Sequence, residues 1–467
     1  MNFKYYDSYE NLVKRLKRES IKAEEVISEY VEKPLPIRSF SRTFMPGNCC
    51  QFNIKQEYLY LKEKLENICK EYSDKEIQAI INDMKIIKWY SSQNKNTLKN
   101  IAIIWRDHFL EENIGLLNGF VEMGVEPRDI FALDKGDSTE HHHEIWETFK
   151  KMGFKVDILD NALFDDNKEI IKAKKLIFDF IEEKKDKKII ILDDGAIIST
   201  ILNDTYKKNV VGILELTEMG LRRIKGLTSE PIYPILNIAK TSLKRNITYV
   251  EIANSIFFRI IQLLGAEKLV GRKVILCGYG DMGEILADKL QKFGIRVVVY
   301  DPDIMKLIIA SERGFNTYDN IENAVKKENP FLIIGASGYR SITNEVINTL
   351  KDGSYVTAGA TADLQVLKEL EKQNNVKVET VSNIGTQYLI DNSKRITMLG
   401  NGRSVNLFNS EAIPNKSNDV FKASMLVAAK QLINEKNKIP NNVCLEQVEE
   451  WIKESKILNK YYDLYLK

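Results

Sequence analysis

The chain has 467 residues, 44% hydrophobic and 29% charged, which is the balance of a soluble protein long enough for two or three domains with their own cores. The formal net charge is only +2 and Lys and Arg are interspersed with Asp and Glu, so no basic stripe argues for nucleic acid. No apolar run approaches the roughly 18 residues that span a bilayer, and the start, Met1-Asn-Phe-Lys-Tyr-Tyr-Asp7, has no signal pattern. The five cysteines (Cys49, Cys50, Cys69, Cys277, Cys444) show no metal-ligand spacing and make no even disulfide set, which fits a reducing cytoplasm.

Residues 1–95 carry long charged helical patterns, Gln56 to Tyr72 and Asp74 to Tyr90, after a looser stretch around Lys33-Pro-Leu-Pro and Met45-Pro-Gly-Asn, and read as a helical N-terminal extension. From residue 96 short apolar strands alternate with helices: Ile101–Trp105, Asp129–Asp134, Lys155–Asp160, Ile189–Asp193, Gly212–Leu216 and Tyr233–Ile238. That alternation predicts a doubly wound parallel sheet. A long helical pattern at 249–265 leads to a second sheet, with strands at 274–277, 296–301, Phe331–Gly335 and Ser354–Ala358, and further strands expected at Arg395–Leu399 and Ser404–Phe408. Helical patterns return at 417–435 and 443–455. The predicted class is α/β, two doubly wound Rossmann-like domains, one for substrate and one for NAD, plus the helical extension. The expected boundaries are 1–95 for the extension and 96–245 for the substrate domain, completed by about 409–440. The NAD-binding domain takes 246–408, and 441–467 form a C-terminal helix and tail.

The run Arg272-Lys-Val-Ile-Leu-Cys-Gly278-Tyr279-Gly280-Asp281-Met282-Gly283 carries the sharpest signal. Gly278 permits the tight turn after a buried strand, Gly280 lets backbone approach a pyrophosphate, and Gly283 lets the next helix pack on the sheet. The helix start, with exposed N–H groups and the positive dipole end, suits a diphosphate. Asp301 closes the next strand 21 residues after Gly280 and is placed to accept hydrogen bonds from a ribose diol, which favours NAD over NADP.

Five further segments decide between families that share this plan: Leu192-Asp-Asp-Gly195, Glu215-Leu-Thr-Glu-Met-Gly220, Tyr233 to Lys244, the Gly-Tyr-Gly-Asp form of the glycine loop, and Asn401-Gly-Arg-Ser-Val-Asn-Leu407. In order and spacing the chain from about residue 99 resembles the S-adenosylhomocysteine hydrolase family. The resemblance implies a tightly held NAD that oxidises a ribose 3′-hydroxyl, loss of the neighbouring C4′ proton, and elimination and hydration at C5′. It further implies Lys244 beside the 3′-hydroxyl, His108 near C5′ with Asp194 as its partner, and Asn383 and Asn406 near the nicotinamide. Tyr279, Asp281, Met282 and Ser337 complete the expected cofactor contacts, and the family's assembly implies a homo-oligomer, dimer or tetramer.

The departures from the family bear on substrate. Leu216 replaces a glutamate, with Glu215 or Glu218 able to serve if the register slips; Thr248 and Tyr249 replace an aspartate and an asparagine; Thr361 and Ile413 replace histidines. A site that loses such partners loses much of its binding, so ordinary adenosylhomocysteine hydrolysis is not the expectation. The expected function is NAD-dependent oxidation of a nucleoside or sugar 3′-hydroxyl with elimination, hydrolysis, dehydration or epimerisation. The alternatives are a catalytically inactive NAD-binding regulatory or scaffold protein of the same fold, and a plain hydroxy-acid or amino-acid dehydrogenase, for which no carboxylate clamp is evident. No metal is expected: His141-His-His143 lacks a spaced ligand set and sits at a helix start. Tyr461, Tyr462 and Tyr465 near Lys460 read as tail packing, although the family's C-terminal Lys and Tyr cover a neighbouring subunit's NAD.

Overall fold

A computed structural model describes residues 71–137, 139–160, 167–202, 209–227, 230–360, 364–381 and 384–467. The helical patterns before residue 71 lie outside the described residues.

The first sheet has seven parallel strands in the order β15-β6-β5-β4-β1-β2-β3: β1 Ile101–Asp107, β2 Ile130–Asp134, β3 Lys155–Ile158, β4 Lys188–Asp193, β5 Val210–Glu215, β6 Ile235–Asn237 and β15 Val443–Cys444. Strand β1 is buried over its whole length, which is why Ile101–Trp105 is a continuous apolar run and not an alternation. The second sheet has the order β12-β13-β14-β11-β10-β7-β8-β9. Its parallel part is β7 Lys273–Cys277, β8 Arg296–Tyr300, β9 Asn316–Tyr318, β10 Leu332–Gly335, β11 Ser354–Ala358 and β14 Lys394–Leu399. Strands β12 Val376–Val381 and β13 Gly385–Ile390 add an antiparallel meander at the β14 edge. The order in which successive strands are added reverses between β1 and β4 in the first sheet and between β7 and β10 in the second, while the strands stay parallel. Ligands in open α/β sheets bind outside the carboxyl ends of strands at such switch points. The loops that follow these four strands carry His108, Asp194, Gly278 and Ser337.

Two expectations are corrected. Residues 404–408 form no strand; Val405–Leu407 is a single 3₁₀ turn, because Gly400 and Gly402, both with positive φ, turn the chain off the end of β14. The pattern at 74–90 is two helices, Asp74–Asp83 and Lys85–Gln93, broken at Met84, whose backbone is non-helical (φ −90, ψ 70).

These two helices are built into the first lobe. Met84, Ile86, Ile87 and Tyr90 share one buried cluster with Trp105, Phe109 and Leu426. The start of the second helix is closed from far along the chain: Asp419 accepts from the Ile86 and Ile87 amides at 2.7 and 2.9 Å. Asp419 lies on the 21-residue helix Asn415–Glu435, most of whose residues are buried. The tail folds back onto its own subunit, Tyr465 donating to Asp419 at 2.7 Å and to the Asp83 carbonyl at 2.9 Å. Among the described residues no helix is long and apolar enough to cross a membrane.

Candidate active site

The glycine loop shows what each residue does. A Cβ at Gly278 would lie 2.7 Å from the Ser337 amide nitrogen, and its φ of +110 favours glycine in any case. A Cβ at Gly283 would lie 2.1 Å from the Gly278 carbonyl oxygen, so that glycine keeps the helix Asp281–Lys292 against the sheet. A Cβ at Gly280 meets nothing nearer than Lys306 Nζ at 3.9 Å, because it faces an open cleft. Asp301, buried at the end of β8, accepts from the Tyr279 amide at 2.7 Å and from the Asp303 amide at 2.9 Å, which fixes its carboxylate at the cleft edge. An open backbone edge at a helix start and a fixed acid beyond the next strand are the shape and charge that a dinucleotide needs.

Not every expected contact faces the cleft. The Tyr279 ring packs on Phe315 at 5.9 Å between centroids and is buried. Asp281 lines the cleft but is held bidentately by Arg245, at 2.8 and 3.1 Å. Met282, Ser337 and Asn406 line the cleft, with Asn406 accepting from Ser404 Oγ at 2.6 Å. Asn383 lies outside the described residues.

The cleft, about 780 Å³, is shared between the lobes, and His108, Asp194 and Lys244 line it together with Gly278, Gly280 and Asp301. Lys244 opens a π-turn, Lys244–Thr248, that leads into the connecting helix Tyr249–Leu263. Such turns often mark functional positions. Its ammonium donates to the Leu216 carbonyl and lies 4.8 Å from the centre of the Phe421 ring. Burial lowers its pKa, with Lys422 adding to the effect, against the opposing pull of Asp194, Asp107 and Glu215.

Asp193 and Asp194 divide their work. Asp193 turns inward and accepts from the Ile198 and Ser199 amides at 2.7 and 3.1 Å, closing the start of the helix Ile197–Leu202. Asp194 faces the cleft. Burial raises its pKa, but Lys135 and His108 outweigh that and hold it below the ordinary range.

Asp194 pairs with the buried ammonium of Lys135, which lies 3.4 Å from His108 Nε2. His108 turns its other nitrogen, Nδ1, to Asp137. Burial raises the Asp137 pKa, yet His108, Arg403 and Lys135 hold it well below the usual range. The ionised carboxylate must accept, so Nδ1 donates and Nε2 is left toward Lys135 and the cleft. Sequence reasoning missed Lys135 and Asp137. The signal available was their place in Leu133-Asp-Lys-Gly-Asp137, the loop directly after β2, beside β1.

The floor of the cleft is polar. Lys422 pairs with Asp107 at 2.8 Å, and Asn418 donates to Glu112 at 2.9 Å. Burial raises the Glu112 pKa, against the pull of Lys422. Asp107, His108 and Asp194 bring three possible metal-ligand atoms within 4.8 Å of one another. Lys422 and Lys135 already neutralise both carboxylates, so the cluster gives no reason to invoke an ion. His142 reaches Asp134 at 2.7 Å and stacks on Phe109, so the three-histidine run includes a core side chain.

At the positions that depart from the family, Leu216, Thr248, Tyr249 and Ile413 all line the cleft, while Thr361 lies outside the described residues. Glu215 turns inward, accepting from the Gly195 and Thr217 amides, whereas Glu218 lines the cleft.

Fold and cleft define a two-lobed NAD-binding α/β protein. Residues 261–412 match the family model of the S-adenosyl-L-homocysteine hydrolase NAD binding domain. The adenosylhomocysteinase of Saccharolobus solfataricus is 25% identical over 54% of this chain and 61% of its own length, and that of Thermotoga maritima 26% over 57% and 67%. The S-inosyl-L-homocysteine hydrolase of Methanopyrus kandleri is 27% identical over 53% of this chain and 59% of its own. The match thus spans about three fifths of the length of most of these relatives. The A chain of dipicolinate synthase from Bacillus subtilis superposes over 74% of this chain and 99% of its own at 13% identity and a TM-score of 0.38. The chain thus resembles the S-adenosylhomocysteine hydrolase family as a divergent relative, and NAD is its cofactor.

Proposed function

We propose that the protein is an enzyme that transiently oxidises the 3′-hydroxyl of a nucleoside or related sugar and promotes elimination, hydrolysis, dehydration or epimerisation at the neighbouring carbons. The observation that supports this is a buried lysine of lowered pKa, Lys244, lining the same cleft as the glycine loop and the His108–Lys135–Asp194 chain. A pure scaffold has no chemical need for that set.

NAD, when bound, supplies the hydride acceptor for the sugar carbinol. Lys244 Nζ takes the hydroxyl proton, and the lowering of its pKa by burial favours the neutral amine that this step needs. The resulting ketone makes the adjacent C–H acidic. His108 Nε2 delivers or accepts the proton at the leaving group, with Asp137 fixing the ring from behind. Asp194 holds Lys135 beside that nitrogen.

The altered lining, with Leu216 and Ile413 apolar and the floor polar, supports a substrate other than adenosylhomocysteine. Residues 96–245 completed by 409–440 would be the substrate lobe and 246–408 the NAD lobe, in a cytoplasmic homo-oligomer whose size light scattering would give. The test is to mix NAD-loaded protein with a panel of nucleosides and their homocysteine thioethers, inosyl forms included, and follow reduced nicotinamide by absorbance. Reduction by one of them, lost in Lys244→Ala with NAD still bound, is the expected result. No reduction by any, with Lys244→Ala fully functional in the cell, favours the NAD-binding scaffold.

A further inference from the structure

We infer that Arg403, on the NAD side of the cleft, is a positioning residue that sets the ring of His108 on the opposite side through Asp137. Arg403 sits in the turn between β14 and the 3₁₀ turn Val405–Leu407. Its guanidinium crosses to the first lobe: one nitrogen donates to Asp137 and to the Lys135 carbonyl, both at 2.9 Å, and the other to Asp160 at 2.7 Å. The Arg403 side chain is only 11% exposed and Asp137 4%. The second oxygen of Asp137 is the one that meets His108 Nδ1. One carboxylate is therefore gripped by the cofactor lobe on one oxygen and grips the imidazole with the other.

The adjoining residue ties this arrangement to the cofactor end. The Ser404 hydroxyl lies 2.9 Å from the Gly359 carbonyl and 2.6 Å from Asn406 Oδ1, either of which can accept its proton, and both Ser404 and Asn406 line the cleft beside the glycine loop. A shift of the 400–406 turn, as NAD enters or leaves, is passed to Asp137 by a planar, charged fork that cannot follow it without releasing a bond. Two other contacts between the lobes, Arg245 with Asp281 and Arg222 over the Tyr339 ring at 4.1 Å, hold the lobes together but touch no partner of His108. The arrangement makes the imidazole's orientation conditional on the lobes being closed around the cofactor. Its catalytic consequence rests on the proposed reaction; the geometry does not.

The chain has four histidines, so histidine nitrogen resonances of the NAD-loaded protein are assignable by single substitution. In the wild type, His108 is expected in a single tautomer with its proton on Nδ1 in slow exchange. Arg403→Gln should leave NAD affinity within about threefold yet lose the slow exchange and mix the tautomers. Arg403→Lys, keeping charge but not the fork, should restore part of it, and Asp160→Asn should leave the His108 signal as in the wild type. If Arg403→Gln keeps the wild-type His108 signal while Asp137→Asn loses it, the inference fails and Arg403 serves only to join the lobes. Should Arg403→Gln not fold, Arg403→Lys carries the decision: an unchanged His108 signal there overturns the proposal. If a nucleoside is turned over, Arg403→Gln lowers kcat with little change in KM. If none is, the resonance result stands on its own.

Discussion

Lys135 stands between His108 and Asp194, its ammonium bound to the Asp194 carboxylate and 3.4 Å from His108 Nε2. The histidine and the aspartate that the family resemblance pairs directly are linked here through a cation, and the histidine's own carboxylate is Asp137.

Removing that cation leaves Asp194 charged and buried. Lys135→Met should cost about 3–5 kcal/mol of stability, the usual penalty for breaking a buried pair. Lys135→Met with Asp194→Asn should recover much of it, and the double-mutant cycle by denaturant titration gives the coupling.

Lys244→Met should keep the fold and NAD but slow oxidation of the sugar by about 10² or more, the contribution of a positioned base. In the wild type the rate of that step should climb with pH through the lowered lysine value. The same shift acts on stability: between the lowered value and the ordinary lysine value the unfolded chain binds a proton that the folded chain does not. Stability in that window therefore rises with pH in the wild type and rises less in Lys244→Met, which thermal melts at a series of pH values would show.

Glu215 carries the opposite sign. Burial, then Asp193 and Asp194, push its pKa up to about 8. Its stabilising protonated form is fully present below the unfolded value near 4.5 and is lost as pH rises through about 8. Glu215→Gln keeps an acceptor for the Gly195 and Thr217 amides. It should match the wild type at pH 4 and melt at a higher temperature than the wild type at pH 9.

The glycines of the loop should separate folding from cofactor. Gly280→Ala, with open space for its Cβ and an ordinary φ of −82, should fold like the wild type and bind NAD at least tenfold more weakly. Gly278→Ala, meeting the Ser337 backbone at 2.7 Å with φ +110, should lose both stability and NAD. NAD-dependent thermal shifts distinguish the two; equal melting losses in the absence of NAD would contradict the assignment of Gly280.

The parallel core was legible because buried strands read as unbroken apolar runs, as Ile101–Trp105 and Val274–Cys277 do, and Asp301 could be placed by counting from Gly280. The meander β12–β13 was not, because Val376–Val381 is a short alternation with Lys377, Val378 and Glu379 exposed at the sheet edge, not the unbroken apolar run by which the buried strands are read. Nor was the split at Met84, since both helices keep one apolar face across the break. Lys244, His108 and Asp194 could be named by resemblance, and they line one cleft. Lys135, Asp137 and Arg403 could not, because their roles come from contacts 27 to 268 residues apart, which no local pattern records.

The π-turn that begins at Lys244 has a reach beyond that lysine. Its next residue, Arg245, clamps Asp281 in the glycine loop. A single irregular turn thus ties the proposed proton acceptor to the glycine loop through adjacent residues. Substitutions elsewhere in the cleft lining can therefore change what it accepts while leaving the spacing that the proposed redox step needs.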